Sequence, residues 1–188
     1  MSLPEMSHHR LEAPSAWIVR FAPLLAADAL VLDVACGYGR HARFFAARGA
    51  RVVAVDRDAQ ALATLSGVEG IAPLLADLEQ AAWPIQDQRF DAIVVTNYLH
   101  RPSLPRLLAT LAPGGVLLYE TFAVGNAAYG KPSNPDFLLA PGELLDLVRG
   151  ALTVVAFEQG AVAGARPAVV QRLAAIAPDY AWPPRLPS

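Results

Sequence analysis

Residues 30–42, Leu-Val-Leu-Asp-Val-Ala-Cys-Gly-Tyr-Gly-Arg-His-Ala, constrain the fold more than any other stretch. Residues 30–34 are an apolar run of strand length, with Asp33 near its carboxyl end. Gly37 and Gly39 follow; glycine accepts positive φ and leaves room for another molecule to approach the backbone. From 40 to 48 the spacing turns helical, with Ala42, Phe45 and Ala46 on one face. Strand, glycine turn and helix form the nucleotide-cradling unit of doubly wound α/β proteins, whose ligands lie at the carboxyl ends of the strands.

The rest of the chain repeats the alternation. Strands are predicted over 29–35, 51–55, 71–75, 90–96 and 116–121, and helices over 14–27, 40–48, 59–66, 104–111 and 143–149. Pro113-Gly114-Gly115 is expected as a turn into the fifth strand. Two last strands, 153–157 and 167–176, follow without a helix between them and predict a hairpin. The expected fold is therefore α/β: a three-layer sandwich around a doubly wound, mostly parallel seven-stranded sheet with an antiparallel last strand. One domain over 1–188 is the default for this length. Within it, 1–13 reads as a flexible terminus, 123–141 as a lid or wall over a substrate, and 178–188 as a proline-rich tail.

Composition removes several function classes. Hydrophobic residues make up 54% and charged residues 17%, so the chain can bury a core. The net charge of −2 and scattered arginines give no footprint for nucleic acid. The most apolar stretch, 21–35, is interrupted by Pro23, Asp28 and Asp33 and is too short to span a bilayer. Cys36 is the single cysteine, so no intrachain disulfide forms and a reducing, cytoplasmic setting is expected. His8 and His9 alone are too few for a metal tract, and no metal site is expected.

Asp33-Val-Ala-Cys-Gly-Tyr-Gly resembles the first motif of class I S-adenosylmethionine (SAM) dependent methyltransferases, an acidic residue followed by a Gly-x-Gly turn. The resemblance continues through Asp56, Asp77, Asp91 and Pro113-Gly114-Gly115, covering about residues 29–122. It implies SAM as the methyl donor, S-adenosylhomocysteine as the product, and roles position by position. Gly37 and Gly39 let the backbone approach the methionine part, and Asp33 accepts from the ammonium. Asp56 takes the ribose hydroxyls and Asp77 the adenine amino group, beside the Leu78 amide; Arg57 or Leu78 covers the adenine face. Thr96 and Asn97 offer oxygens to the methionyl ammonium.

For the acceptor side, residues after the fourth and fifth strands are the candidates. His100 has the intrinsic pKa of a general base near neutrality, or is a loop histidine bonded to backbone. Tyr98 is read as a catalytic candidate or as a wall of the cofactor or acceptor site, and Glu120 as a catalytic residue or a structural hydrogen-bond partner. Arg101 reads as an anion contact or a solvated charge, and Tyr129 and Lys131 as contacts from the loop. The block from Glu120-Thr-Phe to Pro141-Gly-Glu-Leu is similar to small bacterial methyltransferases near the tellurite-resistance type. That resemblance implies a small-molecule acceptor such as a thiol or soft chalcogen. An Asn-Pro-Pro-Tyr motif of nucleic-acid amino methylases is not present; Asn97-Tyr98 is followed by Leu99. Two other readings stay open. One is a SAM-binding domain that is non-catalytic or needs a partner. The other is an NAD-dependent oxidoreductase, because Gly37-Tyr-Gly-Arg-His-Ala42 also fits G-x-G-x-x-A. Oligomeric state is not legible in the sequence.

Overall fold

The computed structural model describes residues 13–80, 83–85, 87–164 and 166–186. Seven strands form one sheet: β1 (Leu30–Val34), β2 (Arg51–Asp56), β3 (Ile71–Leu75), β4 (Phe90–Thr96), β5 (Leu111–Phe122), β6 (Thr153–Val162) and β7 (Ala168–Ile176), in the spatial order β3-β2-β1-β4-β5-β7-β6. The pairs from β3 across to β5 are parallel, and β7 runs antiparallel to both β5 and β6. The order reverses between β1 and β4, which creates the switch point where α/β sheets bind ligands.

Helices cover both faces, as the near-continuous apolar character of β1 and β4 requires. On one face α1 (Ala16–Phe21), α2 (Arg40–Ala46) and α3 (Ala59–Ala63) bring Trp17, Phe21, Phe45 and Leu62 against Val31, Val52, Val94 and Leu118. On the other, α4 (Leu104–Ala109) and α5 (Glu143–Val148) bring Leu104, Leu107, Leu144 and Val148 against Leu32, Ile93, Leu117 and Tyr119. Burying each large apolar side chain contributes about 1.5–3 kcal/mol. Helix starts follow side-chain chemistry: Ser15 Oγ accepts from the Trp17 amide at α1, and Asp58 Oδ1 accepts from the Gln60 and Ala61 amides at α3. Asp91 is structural, its Oδ2 accepting from the Leu30 amide at the start of β1.

The structure departs from the sequence expectations in four places. Pro113-Gly114-Gly115 is not a turn before β5 but an irregularity inside it: Phe90 pairs with Leu111, while Ala92 pairs with Val116. Gly115 is required there because a Cβ would lie 2.8 Å from the Ala112 carbonyl oxygen. β6 runs past 157 to Val162 because it pairs with β7 along its whole length. The stretch 123–141 holds two single helical turns, Asn126–Ala128 and Pro135–Phe137, and a bridge from Ala123 to Leu139. The start of the expected tail is docked: Tyr180 donates to the Leu24 carbonyl, and Asp179 accepts from the Gly114 amide. The expected flexible stretch 1–13 lies outside the described residues except for Ala13, as do residues 187 and 188 of the tail. Among the described residues no helix is long and apolar enough to cross a membrane.

Candidate functional site

Every parallel strand from β1 to β4 delivers a polar residue at or just beyond its carboxyl end. Asp33, at the end of β1, is only 1% exposed. Its Oδ2 accepts from the Ala42 amide at 2.9 Å, while Oδ1 is buried without a partner. Burial pushes this carboxyl up to about 7, against the opposing pull of the Ala42 amide and the Arg40 guanidinium. An acid left half-satisfied in the interior is costly unless something else completes it.

The chain then turns at Ala35, whose φ of +50° is left-handed, and passes through Gly37 and Gly39 at φ of +53° and +73°. The Gly37 amide donates to Asp56 Oδ2 at 2.7 Å, and Asp56 Oδ1 accepts from the Asp58 amide at 2.9 Å. The carboxylate at the end of β2 thus holds the glycine turn closed and keeps lone pairs over. A Cβ on Gly37 would meet no atom within 4 Å, whereas on Gly39 it would lie 2.5 Å from Leu65. Gly37 therefore opens onto free space and Gly39 is wedged against the core.

Asp77, beyond β3, accepts from the Glu79 amide at 2.9 Å and the Gln80 side chain at 3.2 Å, and these bonds hold it below the usual carboxylate range. Next to it Leu78 is buried. Asp56, Arg57, Asp77, Leu78 and Tyr98, with Ala35, Ala76 and Glu79, line one cleft of about 190 Å³. Arg57 is mostly exposed, 4.0 Å from Glu79. Five residues singled out in the sequence thus meet on one concave surface beside the switch point.

At the top of β4, Thr96 is buried and Asn97 is exposed in a left-handed conformation, φ +54°, its amide donating to the Glu120 carbonyl. Two non-glycine residues in that region, Ala35 and Asn97, follow adjacent strands; such backbone persists where the surroundings enforce it. The Tyr98 hydroxyl is buried beside Ser103, and burial raises it to about 12. The Tyr98 carbonyl accepts from Tyr119. His100 Nδ1 is buried without a partner, and the ring lies close enough to Asp77 to help hold that carboxyl low.

The remaining expected contacts are differently employed. Glu120 is buried and accepts from Arg172 Nε at 2.6 Å, a structural ion pair across β5 and β7. Arg101 is not free for an anion. It makes two bonds to Glu143, at 2.7 and 2.9 Å, and donates to the carbonyls of Asp136 and Leu138, clamping the 123–141 loop onto α5. Tyr129 and Lys131 lie on the exposed part of that loop and do not line the cleft. Among the described residues no group of three or more His, Cys, Asp or Glu side chains is placed to hold a metal. Sequence reasoning missed His41, Arg40 and Arg172. The signals were a histidine on the apolar face of α2, an arginine at a helix start where the dipole disfavours a cation, and a lone charge inside an apolar strand.

Residues 31–115, a little under half of the chain, match the methyltransferase-domain family. Over those residues the chain is similar to a methyltransferase domain. The match holds β1 to β4 with Asp33, Asp56, Asp77 and Thr96, and ends inside β5. A trans-aconitate 2-methyltransferase from Variovorax paradoxus is 37% identical over 115 residues, 57% of this chain and 43% of its own. The chain thus spans less than half the length of that curated relative. Among solved structures, TehB from Haemophilus influenzae superimposes with a TM-score of 0.70 at 19% identity, over 85% of this chain and 61% of its own. The 1,6-didemethyltoxoflavin-N1-methyltransferase of Burkholderia thailandensis, solved with S-adenosylhomocysteine bound, gives 0.58 at 20% identity, over 83% and 78%. At these identities the solved structures establish the fold, and the chain's chemistry rests on its own residues.

Proposed function

We propose that the protein transfers a methyl group from S-adenosylmethionine to a small-molecule acceptor. The observation that carries this reading is the set of three carboxylates, Asp33, Asp56 and Asp77, at the carboxyl ends of three neighbouring strands in the stretch that matches the methyltransferase-domain family. They fit the donor's polar groups. Asp33 Oδ1, buried and unpartnered, suits an ammonium. Asp56 keeps lone pairs for two ribose hydroxyls, and Asp77 with the Leu78 amide suits the adenine edge. Gly37 leaves the space that a Cβ would fill. Arg57 and Leu78 flank the adenine position, while Thr96 and Asn97 stand at the methionyl end.

When bound, the sulfonium supplies an activated methyl group and a good leaving group. The chain's own task is then positioning, with a base where the acceptor carries a proton at neutral pH. His100 is the candidate base in this reading, and Tyr98, whose phenol burial keeps protonated, is a wall or a proton donor. Glu120, bound to Arg172, acts as a fixed charge in this reading. The named acceptors of similar proteins, trans-aconitate and 1,6-didemethyltoxoflavin, are small molecules, which supports an acceptor of that size. The single buried cysteine supports a reducing, cytoplasmic setting.

Calorimetric titration with SAM, S-adenosylhomocysteine and NAD tests the reading. Both adenosyl compounds are expected to bind and NAD is not. Asp56→Ala is expected to lose about 1–3 kcal/mol of SAM binding, the scale of a lost charged acceptor, with folding checked in parallel. NAD binding in place of SAM would overturn the assignment, and unchanged affinity in the variant would remove Asp56 from the site.

A further inference from the structure

α1 is stitched to the turn after β1 by two consecutive residues of α2. Arg40 Nη1 donates to the Ala13 carbonyl at 3.2 Å. His41, 1% exposed, accepts the Ser15 amide at Nε2, 3.1 Å away. Ser15 is the N-cap of α1. The other ring nitrogen, Nδ1, lies 3.3 Å from Thr96 Oγ1 at the top of β4. An amide can only donate, so Nε2 must be the accepting nitrogen. In the neutral ring the proton then sits on Nδ1 and is given to Thr96. Burial, reinforced by Arg40, keeps the ring neutral by lowering it to about 3. With that lone pair used, the Thr96 hydroxyl proton is turned away from His41 and is left for another acceptor. One side chain thereby joins the start of α1 to a residue at the cofactor end of β4.

We propose that His41 is a positioning residue that couples the seating of α1, through Ser15, to the orientation of the Thr96 hydroxyl in the cofactor site. The cofactor half of this inference rests on the SAM reading above. It follows that cofactor binding tightens α1, and that His41 and Thr96 act as one unit. Neither α1 nor His41 lines the cleft that holds Asp56 and Asp77.

The test combines SAM titration with hydrogen exchange of the α1 amides in wild type, His41→Leu, His41→Gln, Thr96→Val and the double variant. His41→Leu and Thr96→Val are each expected to weaken SAM binding about five- to tenfold, the scale of one hydrogen bond. The double variant should be no weaker than either single one, because the two belong to one network. Added SAM should slow α1 exchange in wild type and leave it unchanged in both single variants. His41→Gln, whose planar amide also offers one acceptor and one donor, should restore the response. Losses that multiply in the double variant, or α1 exchange indifferent to bound SAM in wild type, would overturn the coupling while leaving the methyltransferase reading intact. A wild-type protein that binds no SAM would overturn that reading and the coupling with it.

Discussion

Gly37 and Gly39 lie two residues apart in one turn, yet a methyl group added to each meets a different world. Both need left-handed backbone, which costs an L residue about 1–2 kcal/mol. At Gly39 the methyl also drives into buried Leu65, adding about 1–3 kcal/mol of overpacking. At Gly37 it enters open space, which the proposed SAM reading assigns to the donor. Gly39→Ala is therefore expected to lower the urea midpoint more than Gly37→Ala does. Gly37→Ala is expected to lose SAM affinity out of proportion to its stability. Wild-type SAM binding by Gly37→Ala would mean that the turn does not face the donor.

At the scale of elements, the 123–141 stretch is a strap rather than a free lid. Leu138 and Leu139 are buried, and Asn126 bridges the Pro132 carbonyl and the Val169 amide. Arg101 and Glu143 close the far end. Arg101 is 41% exposed, so its ion pair is screened and contributes below about 1 kcal/mol to global stability. Its geometric effect is larger, because the same guanidinium holds two loop carbonyls. Arg101→Ala should leave the unfolding midpoint nearly unchanged while speeding chymotryptic cleavage at Tyr129 and Phe137, both exposed. Cleavage no faster than in wild type would assign the strap's rigidity to Asn126 and the leucines instead.

At the scale of the whole molecule, two buried groups oppose each other in pH dependence. Asp33 is raised from 3.8 to about 7, so the fold binds its proton more tightly than the unfolded chain does. Its contribution is complete at low pH and is lost as pH rises from about 4 to 7. His41 is lowered from 6.5 to about 3, so its contribution is present above 6.5 and is lost as pH falls toward 3. Each changes stability by up to about 1.4 kcal/mol per pH unit, with opposite sign between about 4 and 6.5. Relative to wild type, Asp33→Asn should lose stability as pH falls through that window. His41→Gln should lose it as pH rises. Denaturant midpoints at pH 4, 5, 6 and 7 separate the two, and parallel profiles in all three proteins would show that neither group titrates this way.

The local sequence determined which residues end strands and which close turns. An apolar run ending in Asp33 before Gly37 and Gly39 has few other solutions. Asp56, Asp77 and Thr96 fall at strand ends because hydrophobic runs of strand length stop there. That information is short-range, so the sheet and its row of carboxylates were legible. The partners of those side chains are not short-range. Arg101 reads as a spare cation until the fold brings Glu143 beside it, and Glu120 as a candidate acid until β7 runs antiparallel and sets Arg172 opposite. His41 looks like one polar residue on an apolar face. Only the packing of α1 over α2, beside the top of β4, places Ser15 on one ring nitrogen and Thr96 on the other. Tertiary structure decided these roles because each depends on residues from 26 to 55 positions away, whose approach is set by the burial of whole faces and by no local pattern.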